Sequence, residues 1–470
     1  MALADILDDV NLLKKYDVDA FDYVEYPHKS AWSSKVGHAD LARSLATLLK
    51  TRPQAPVLLY LHIPFCEQLC LFCTCHRQIT HDYAKATRYL EYLSGEIDVL
   101  RRVCEQAGAM PNITDVFFGG GSPTFFKEPE FIALKEKLAT IVDFSKVREM
   151  AIEIDPRRVD VERLKFYRRQ GATRLSFGVQ DFDPDVQVAI DRIQPPELME
   201  NLLTPEIRGL YPSVNFDLLC GLPRQTKATI GRTIDRVIGM RPDRITLTYV
   251  HYSPKFHQHQ VRMNKDGLIP DFYERKVIFV EAMGRLLEAG YIRTGFEHLA
   301  WPTDSVAQAF LAGKADYNPL GAYTGDYADT IGLGRSAYSC IGDDYYQSTY
   351  EADEYEAAIG RGEFPVFRGC TASPDDLLRR QLIKTLRTYF IIDIPALEAS
   401  FGIRFAEYFA PEIATLREFA EDGLLTLDGE ALRLTENGRH FSSLVCSVFD
   451  KYTAAPRFNA GIRPAFRAAG

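Results

Sequence analysis

The chain has no apolar run reaching the roughly 18 to 20 residues that a membrane-spanning helix needs. Its acidic start, MALADILDDVNLLKKYDVDAF, also lacks a continuous signal-peptide core. A cytoplasmic protein that does not engage membranes is therefore expected. Nor is there a basic excess: 55 Lys and Arg stand against 64 Asp and Glu, a net charge of −9 with a pI near 5.7. No global positive field is available to recruit nucleic acid. Long repeats and low-complexity tracts are missing, and with 46% hydrophobic and 25% charged residues the chain is neither disordered nor collagen-like. The H-E-x-x-H pattern is absent too, so a hydrolytic zinc centre has no support. At 470 residues the chain exceeds one ordinary core, and a large catalytic unit with appended elements is expected.

From Val57 onward, short β-rich runs (VLLYLHIPF, TDVFFGGGS, MAIEIDP, TRLSFGVQ, SVNFDLLCGLP and RITLTYVHY) alternate with segments whose apolar residues recur at helical spacing. Near-continuous hydrophobic strands joined by helical crossovers imply a parallel sheet covered on its outer face. Six such units predict an α/β fold, a partial (β/α)6 TIM-like barrel over residues 56–300, with its chemistry at the C-terminal ends of the strands. Residues 1–55 read as an N-terminal extension. Residues 301–370 read as a loop-rich connection, and residues 371–470 as a mainly helical, winged-helix-like domain whose hairpin is not basic, so packing rather than DNA binding is its expected job.

Nine cysteines in a reducing compartment point to metal binding or packing rather than disulfides. Cys66, Cys70, Cys73 and Cys75 lie spaced C-x3-C-x2-C-x-C directly after the first strand. That spacing lets several thiolates converge on one soft centre. A structural zinc site is the competing reading, although zinc modules usually draw on two separated ligand pairs and no second pair follows. Three cysteines on a four-iron, four-sulfur cluster would leave one iron open to a substrate or cosubstrate. Cys104, Cys220, Cys340, Cys370 and Cys446 sit alone in apolar surroundings and read as packing residues.

The spacing of Cys66, Cys70 and Cys73 resembles the radical S-adenosylmethionine (SAM) superfamily. The stretch YLHIPFCEQLCLFCTC, followed in order by FFGGGSPT, IEIDPR, LSFGVQDF and FDLLCGLPRQT, resembles the oxygen-independent coproporphyrinogen III oxidase family over residues 55 to 300, and more weakly beyond. The resemblance implies a 4Fe-4S cluster on those three cysteines, with Cys75 beside it, and a bound SAM whose reductive cleavage yields a hydrogen-abstracting 5′-deoxyadenosyl radical. It further implies two SAM molecules contacted by Tyr60, Gly120, Gly121, Ser122, Glu153, Gln180, Arg192 and Asp217, with Phe72, Val250 and Tyr338 as weaker contact positions, and Tyr60 and Glu153 as catalytic residues. A monomer acting on a small molecule and reduced by flavodoxin or ferredoxin belongs to the same expectation. Elementary chemistry agrees: a Gly triplet permits close backbone approach, an Arg fork can grip a carboxylate, and Glu153 and Asp217 can accept bonds from hydroxyls or an ammonium. Singly, each also reads as a turn or a structural ion pair.

The chain departs from the oxidase pattern where cations are expected beside the substrate's carboxylates. Asp22 stands in DYVEYP and Trp301 in Glu297-His298-Leu299-Ala300-Trp301-Pro302, and the loop at Tyr323-Thr324-Gly325 also differs. Replacing a cation by an acid next to a carboxylate is worth about 1 kcal/mol or more when partly shielded. Three functions follow: propionate decarboxylation as in the oxidase, a two-SAM methyl or cyclopropane transfer on a non-porphyrin molecule, or a haem carrier that kept the fold. Retention of Glu153, Gln180, Arg192 and Asp217 argues against the carrier.

Overall fold

The computed structural model describes residues 5–18 and 23–453; Asp22 lies outside them. Six parallel strands neighbour one another in chain order: β1 (Pro56–Ile63), β2 (Asn112–Gly120), β3 (Glu149–Ile154), β4 (Arg174–Gln180), β5 (Ser213–Cys220) and β6 (Arg244–Tyr249). Their side chains alternate, as a strand's period of two requires. Leu59, Leu61, Ile152, Phe177, Phe216 and Leu247 point outward into the main core beneath the helices. The intervening positions, among them Glu153, Arg174, Ser176, Asn215, Asp217, Arg244 and Thr246, line one interior cavity. Residues of β2 through β6 can share a cavity only if the sheet curves, so the expected partial barrel is present.

The stretch 301–370, expected to be loops, instead extends the sheet. After β7 (Ile292–Arg293) and β8 (His298–Ala300), which close one edge, β8 antiparallel to β6 and β7 antiparallel to β8, the chain crosses to the other edge. There β9 (Asp329–Leu333) runs parallel to β1 and is followed by antiparallel β10 (Tyr338–Ile341), β11 (Asp344–Ser348) and β12 (Val366–Thr371). Antiparallel neighbours need no helical crossover, and of these strands only β11 and β12 have a helix, Ala352–Gly360, between them, which is why the strand-helix rhythm stops while the sheet does not.

The C-terminal unit is winged-helix-like. Helix Pro374–Tyr389 begins with a reciprocal Ser373–Asp376 capping box, and Ile391–Asp393 pairs with the hairpin Leu425–Leu427 and Ala431–Leu434. The leading part of the N-terminal extension is built into this unit's core, whereas its helix His38–Thr51 packs on the main core: Ile6, Leu12, Leu13 and Tyr16 are buried with Leu386, Phe419 and Phe441, and the Tyr16 hydroxyl donates to Asp422 at 2.6 Å. Between barrel and C-terminal unit, helix Phe272–Glu288 buries Lys276. Its amine donates to the His440 carbonyl at 2.9 Å and lies 5.1–5.3 Å from the Tyr249, Phe272 and Phe441 rings. Among the described residues no helix is long and apolar enough to cross a membrane.

Candidate active site at the mouth of the barrel

The cysteine loop leaves β1 at Ile63 and is pinned at its base. Thr80 N donates to the Cys66 carbonyl at 2.9 Å, and Leu71 N to that of Ile190 at 3.0 Å. Two guanidiniums converge on Cys70: Arg192 at 3.3 Å from its sulfur and Arg157 at 3.6 Å. Arg157 also bonds Gln68 at 3.1 Å and Asp155 at 2.7 Å. From the other side, His259 donates to the Cys73 carbonyl at 2.9 Å and Gln260 to that of Phe72 at 3.1 Å. The thiols are not equivalent. Burial, reinforced by the neighbouring sulfurs, pushes Cys66 up to about 12. A bond from the Cys75 thiol holds Cys73 below the usual thiol range, while Cys75 itself is pushed up. Cys75 thus supports Cys73 as a hydrogen-bond donor. Among the described residues no three His, Cys, Asp or Glu are grouped so as to hold a single metal ion.

A cavity of about 210 Å³ opens on this loop. It is lined by Cys66, Cys70 and Cys73 together with Phe72, Gly120, Gly121, Ser122, Glu153, Gln180, Arg192 and Asp217, so most of the positions singled out in the sequence meet in one place. The glycines are required by close approach. A Cβ on Gly120, whose φ is +123°, would stand 2.8 Å from the Ile63 carbonyl, and one on Gly121 would stand 2.7 Å from that of Pro64. The Gly120 amide donates to Glu153 at 2.9 Å. Burial, with the nearby Asp217 charge, lifts Glu153 to about 8. Asp217, itself raised by burial, accepts from Asn215 at 2.8 Å and Ser176 at 3.1 Å. Arg192 turns its fork to Cys70, the Gly178 carbonyl at 2.7 Å and Gln194 at 3.0 Å, with the Asp155 carboxylate at 3.6 Å, so it steadies a cluster-loop sulfur.

Three predicted positions fall elsewhere. Tyr60 lies on the barrel's inner wall with Leu58 and Phe117 and donates to His62 Nδ1 at 2.9 Å. That direction follows because His62 Nε2 must donate to the His76 carbonyl at 3.0 Å. Val250 lines the larger interior cavity. Tyr338 packs with Trp32 and Tyr345 on the sheet extension, because β10 lies two strands out from β1.

The larger cavity, about 460 Å³, shares Phe72, Cys73, Glu153, Gln180 and Asp217 with the first and continues down the barrel. Its floor is an ionic network: Glu149 accepts from Arg174 at 2.9 Å and Arg244 at 3.0 Å, and Arg244 also bonds Asp304 at 2.9 Å. Although burial opposes it, the two guanidiniums hold Glu149 down to about 2. Among the described residues, the terminal nitrogens of Arg174 have no protein acceptor, since its pairing uses Nε. His298, held neutral by burial, has Nε2 without a partner and lines the same space. Arg157, Arg174, Arg244 and Gln260 escaped the sequence reading. Alternation along β4 and β6 was a usable signal for Arg174 and Arg244, whereas Arg157 and Gln260 sit in loops where no period applies. Trp301 is a correction. It meets Tyr291 edge to face at 5.2 Å, with Arg241 4.8 Å from its ring, beside the N-terminal end of β6, so tryptophan there removes no cation from the cavity.

Comparison with known proteins agrees with this geometry. The Radical SAM superfamily model matches residues 60–237 and the HemN C-terminal domain model residues 372–441. The chain is 34% identical over 446 residues to oxygen-independent coproporphyrinogen III oxidase of Pseudomonas aeruginosa, covering 94% of this chain and 96% of that protein. To the protein of the same name from Escherichia coli K12 it is 33% identical, with 94% and 95% covered. The solved structure of Escherichia coli coproporphyrinogen III oxidase (HemN), a radical SAM enzyme, superposes with a TM-score of 0.84 at 33% identity over 92% of this chain and 98% of that one.

Proposed function

Because this chain belongs to the oxygen-independent coproporphyrinogen III oxidase family of radical SAM enzymes, we propose that it converts propionate side chains of coproporphyrinogen III to vinyl groups, using two SAM molecules and an external one-electron reductant. Per side chain, one hydrogen atom leaves the propionate methylene bonded to the ring, the bond from the second methylene to the carboxylate breaks to release carbon dioxide, and the remaining electron passes to an external one-electron acceptor as the double bond forms. When bound, the 4Fe-4S cluster and SAM supply the reducing electron and the radical that takes the hydrogen atom.

The chain's own residues divide the remaining work. Cys66, Cys70 and Cys73 hold the cluster, with the charge on Cys70 balanced by Arg157 and Arg192. The Gly120–Gly121–Ser122 backbone takes SAM's amino-acid end, and Glu153 and Asp217 accept from its hydroxyl or ammonium groups. Tyr60, oriented by His62 on the inner wall, supports one or other of the two SAM molecules. The observation that carries the substrate assignment is Arg174: a half-buried guanidinium with open donors, in a cavity that adjoins the cysteine loop, suits a carboxylate arm.

The test is anaerobic incubation of cluster-reconstituted protein with dithionite, SAM and coproporphyrinogen III. Vinyl product, carbon dioxide and 5′-deoxyadenosine should appear together. Incorporation of label from methyl-deuterated SAM into the product, without carbon dioxide release, would replace this reading with methyl transfer.

A further inference from the structure

The segment that closes over the cysteine loop from the β6 side has a charge pattern unlike the rest of the chain. From His251 to Lys265 it contains Lys255, Arg262, Lys265 and three histidines, with no Asp or Glu, in a protein whose net charge is −9. Its inner side is tied down. His259 and Gln260 bond the Cys73 and Phe72 carbonyls, Gln260 also donates to the His251 carbonyl at 2.7 Å, and Met263 is buried with Leu71 and Ile190 in a small core under the loop. Its outer side is open: Lys255, Arg262 and Lys265 are exposed, Phe256 is 77% exposed and Val261 57%. Across the same core, helix Pro184–Ala189 and the residues after it leave Val188 at 67% and Ile193 at 56% exposed. Exposed apolar residues scattered singly are ordinary. Here they flank one loop on both sides, beside three exposed cations whose nearest acid in sequence, Asp266, is paired with Arg224 at 3.8 Å.

We propose that this face docks an acidic one-electron carrier protein bearing a flavin or iron–sulfur group near its own surface. The proposal rests on the reading that Cys66, Cys70 and Cys73 hold a redox cluster. A carrier seated on Phe256 and Val261 stands one layer of side chains from the Cys73 carbonyl. The reduced carrier gives up one electron and the cluster gains it; no bond forms and no proton moves. Lys255, Arg262 and Lys265 supply the complementary charge that steers the encounter. The few apolar contacts suit the small, short-lived interfaces through which redox partners meet.

The experiment uses full-length, cluster-reconstituted protein and the triple variant Lys255→Glu, Arg262→Glu, Lys265→Glu, with 5′-deoxyadenosine release driven either by dithionite or by reduced flavodoxin or ferredoxin. With dithionite the variant should match the wild type. With the carrier its kcat/KM for the carrier should fall by about tenfold or more at low salt, and the steep salt dependence of the wild type should flatten. Equal rates with the carrier, or an equal loss with both reductants, would overturn the proposal. So would a wild-type cluster that dithionite reduces and neither carrier does, or binding of the wild type to phosphatidylserine vesicles that the triple variant loses, which would assign the face to a lipid surface. If dithionite bleaches an intact cluster but yields no 5′-deoxyadenosine, the functional reading has failed, and bleaching by the carrier still tests the docking face.

Discussion

Replacing Lys276 by methionine should stabilise the protein at neutral pH and weaken it in mild alkali. Burial, helped by the positive charges of Arg275 and Arg293, pulls the Lys276 amine from 10.5 down to about 7. Below 10.5 the unfolded chain holds a proton that the folded chain gives up above about 7, so unfolding is favoured by proton uptake throughout that interval. The penalty is fullest at and below pH 7 and fades as pH rises to 10.5. At 1.36 kcal/mol per unit it amounts to about 4 kcal/mol at pH 7 and about 1 kcal/mol near pH 9.5. Methionine keeps the apolar stem among Tyr249, Phe272 and Phe441 but loses the bond to the His440 carbonyl, worth about 1 kcal/mol. The variant should therefore gain about 3 kcal/mol at pH 7, break even near pH 9.5 and be the less stable protein above pH 10. Urea midpoints followed by circular dichroism across that range measure it. A loss of stability at pH 7, or a gain that stays constant up to pH 10, would refute the reasoning.

Asp304→Ala, which strips one carboxylate from the buried Arg244 at the cavity floor, should cost about 3 to 5 kcal/mol in denaturant titrations, and Asp304→Asn less. Glu153 has a folded value raised from 4.5 to about 8. Its stabilising contribution is thus complete below pH 4.5 and lost as pH climbs through 8, and Glu153→Gln should flatten the stability profile of the cluster-free protein over that window. Cys75→Ser should retain wild-type iron and sulfide after reconstitution, whereas Cys70→Ser should not; equal losses in both would make Cys75 a ligand.

The barrel and the cysteine loop were legible because each leaves a periodic or spacing signature. Strand runs such as SVNFDLLC expose their inward set, Asn215 and Asp217, by simple alternation, and three cysteines within eight positions announce a centre. What stayed hidden depends on contacts between distant segments. Arg157 becomes a partner of Cys70 only because the turns after β1 and β3 adjoin. The strands of residues 329–371 are short and antiparallel, with a single helix, Ala352–Gly360, between the last two, and so resemble loops in sequence. Trp301 looked like a lost substrate cation because its motif neighbours, Glu297 and His298, do line the cavity; the following turn carries it to the barrel's other end. Lys276 is a charged residue among apolar helix positions, which sequence alone assigns to solvent.

The burial of Ile6, Leu12, Leu13 and Tyr16 among residues near the opposite terminus fixes an order of assembly. During synthesis the leading helix precedes its docking surface, part of which is helix Phe272–Glu288 and the rest of which is complete only once Phe419 and Phe441 have been made. It must wait, unhoused, while the barrel forms around the middle of the chain. The last unit then closes over it like a clasp, so removing the first two dozen residues should injure the far end of the molecule before it disturbs the sheet, and a bulky fusion at the leading end should slow the final step of maturation.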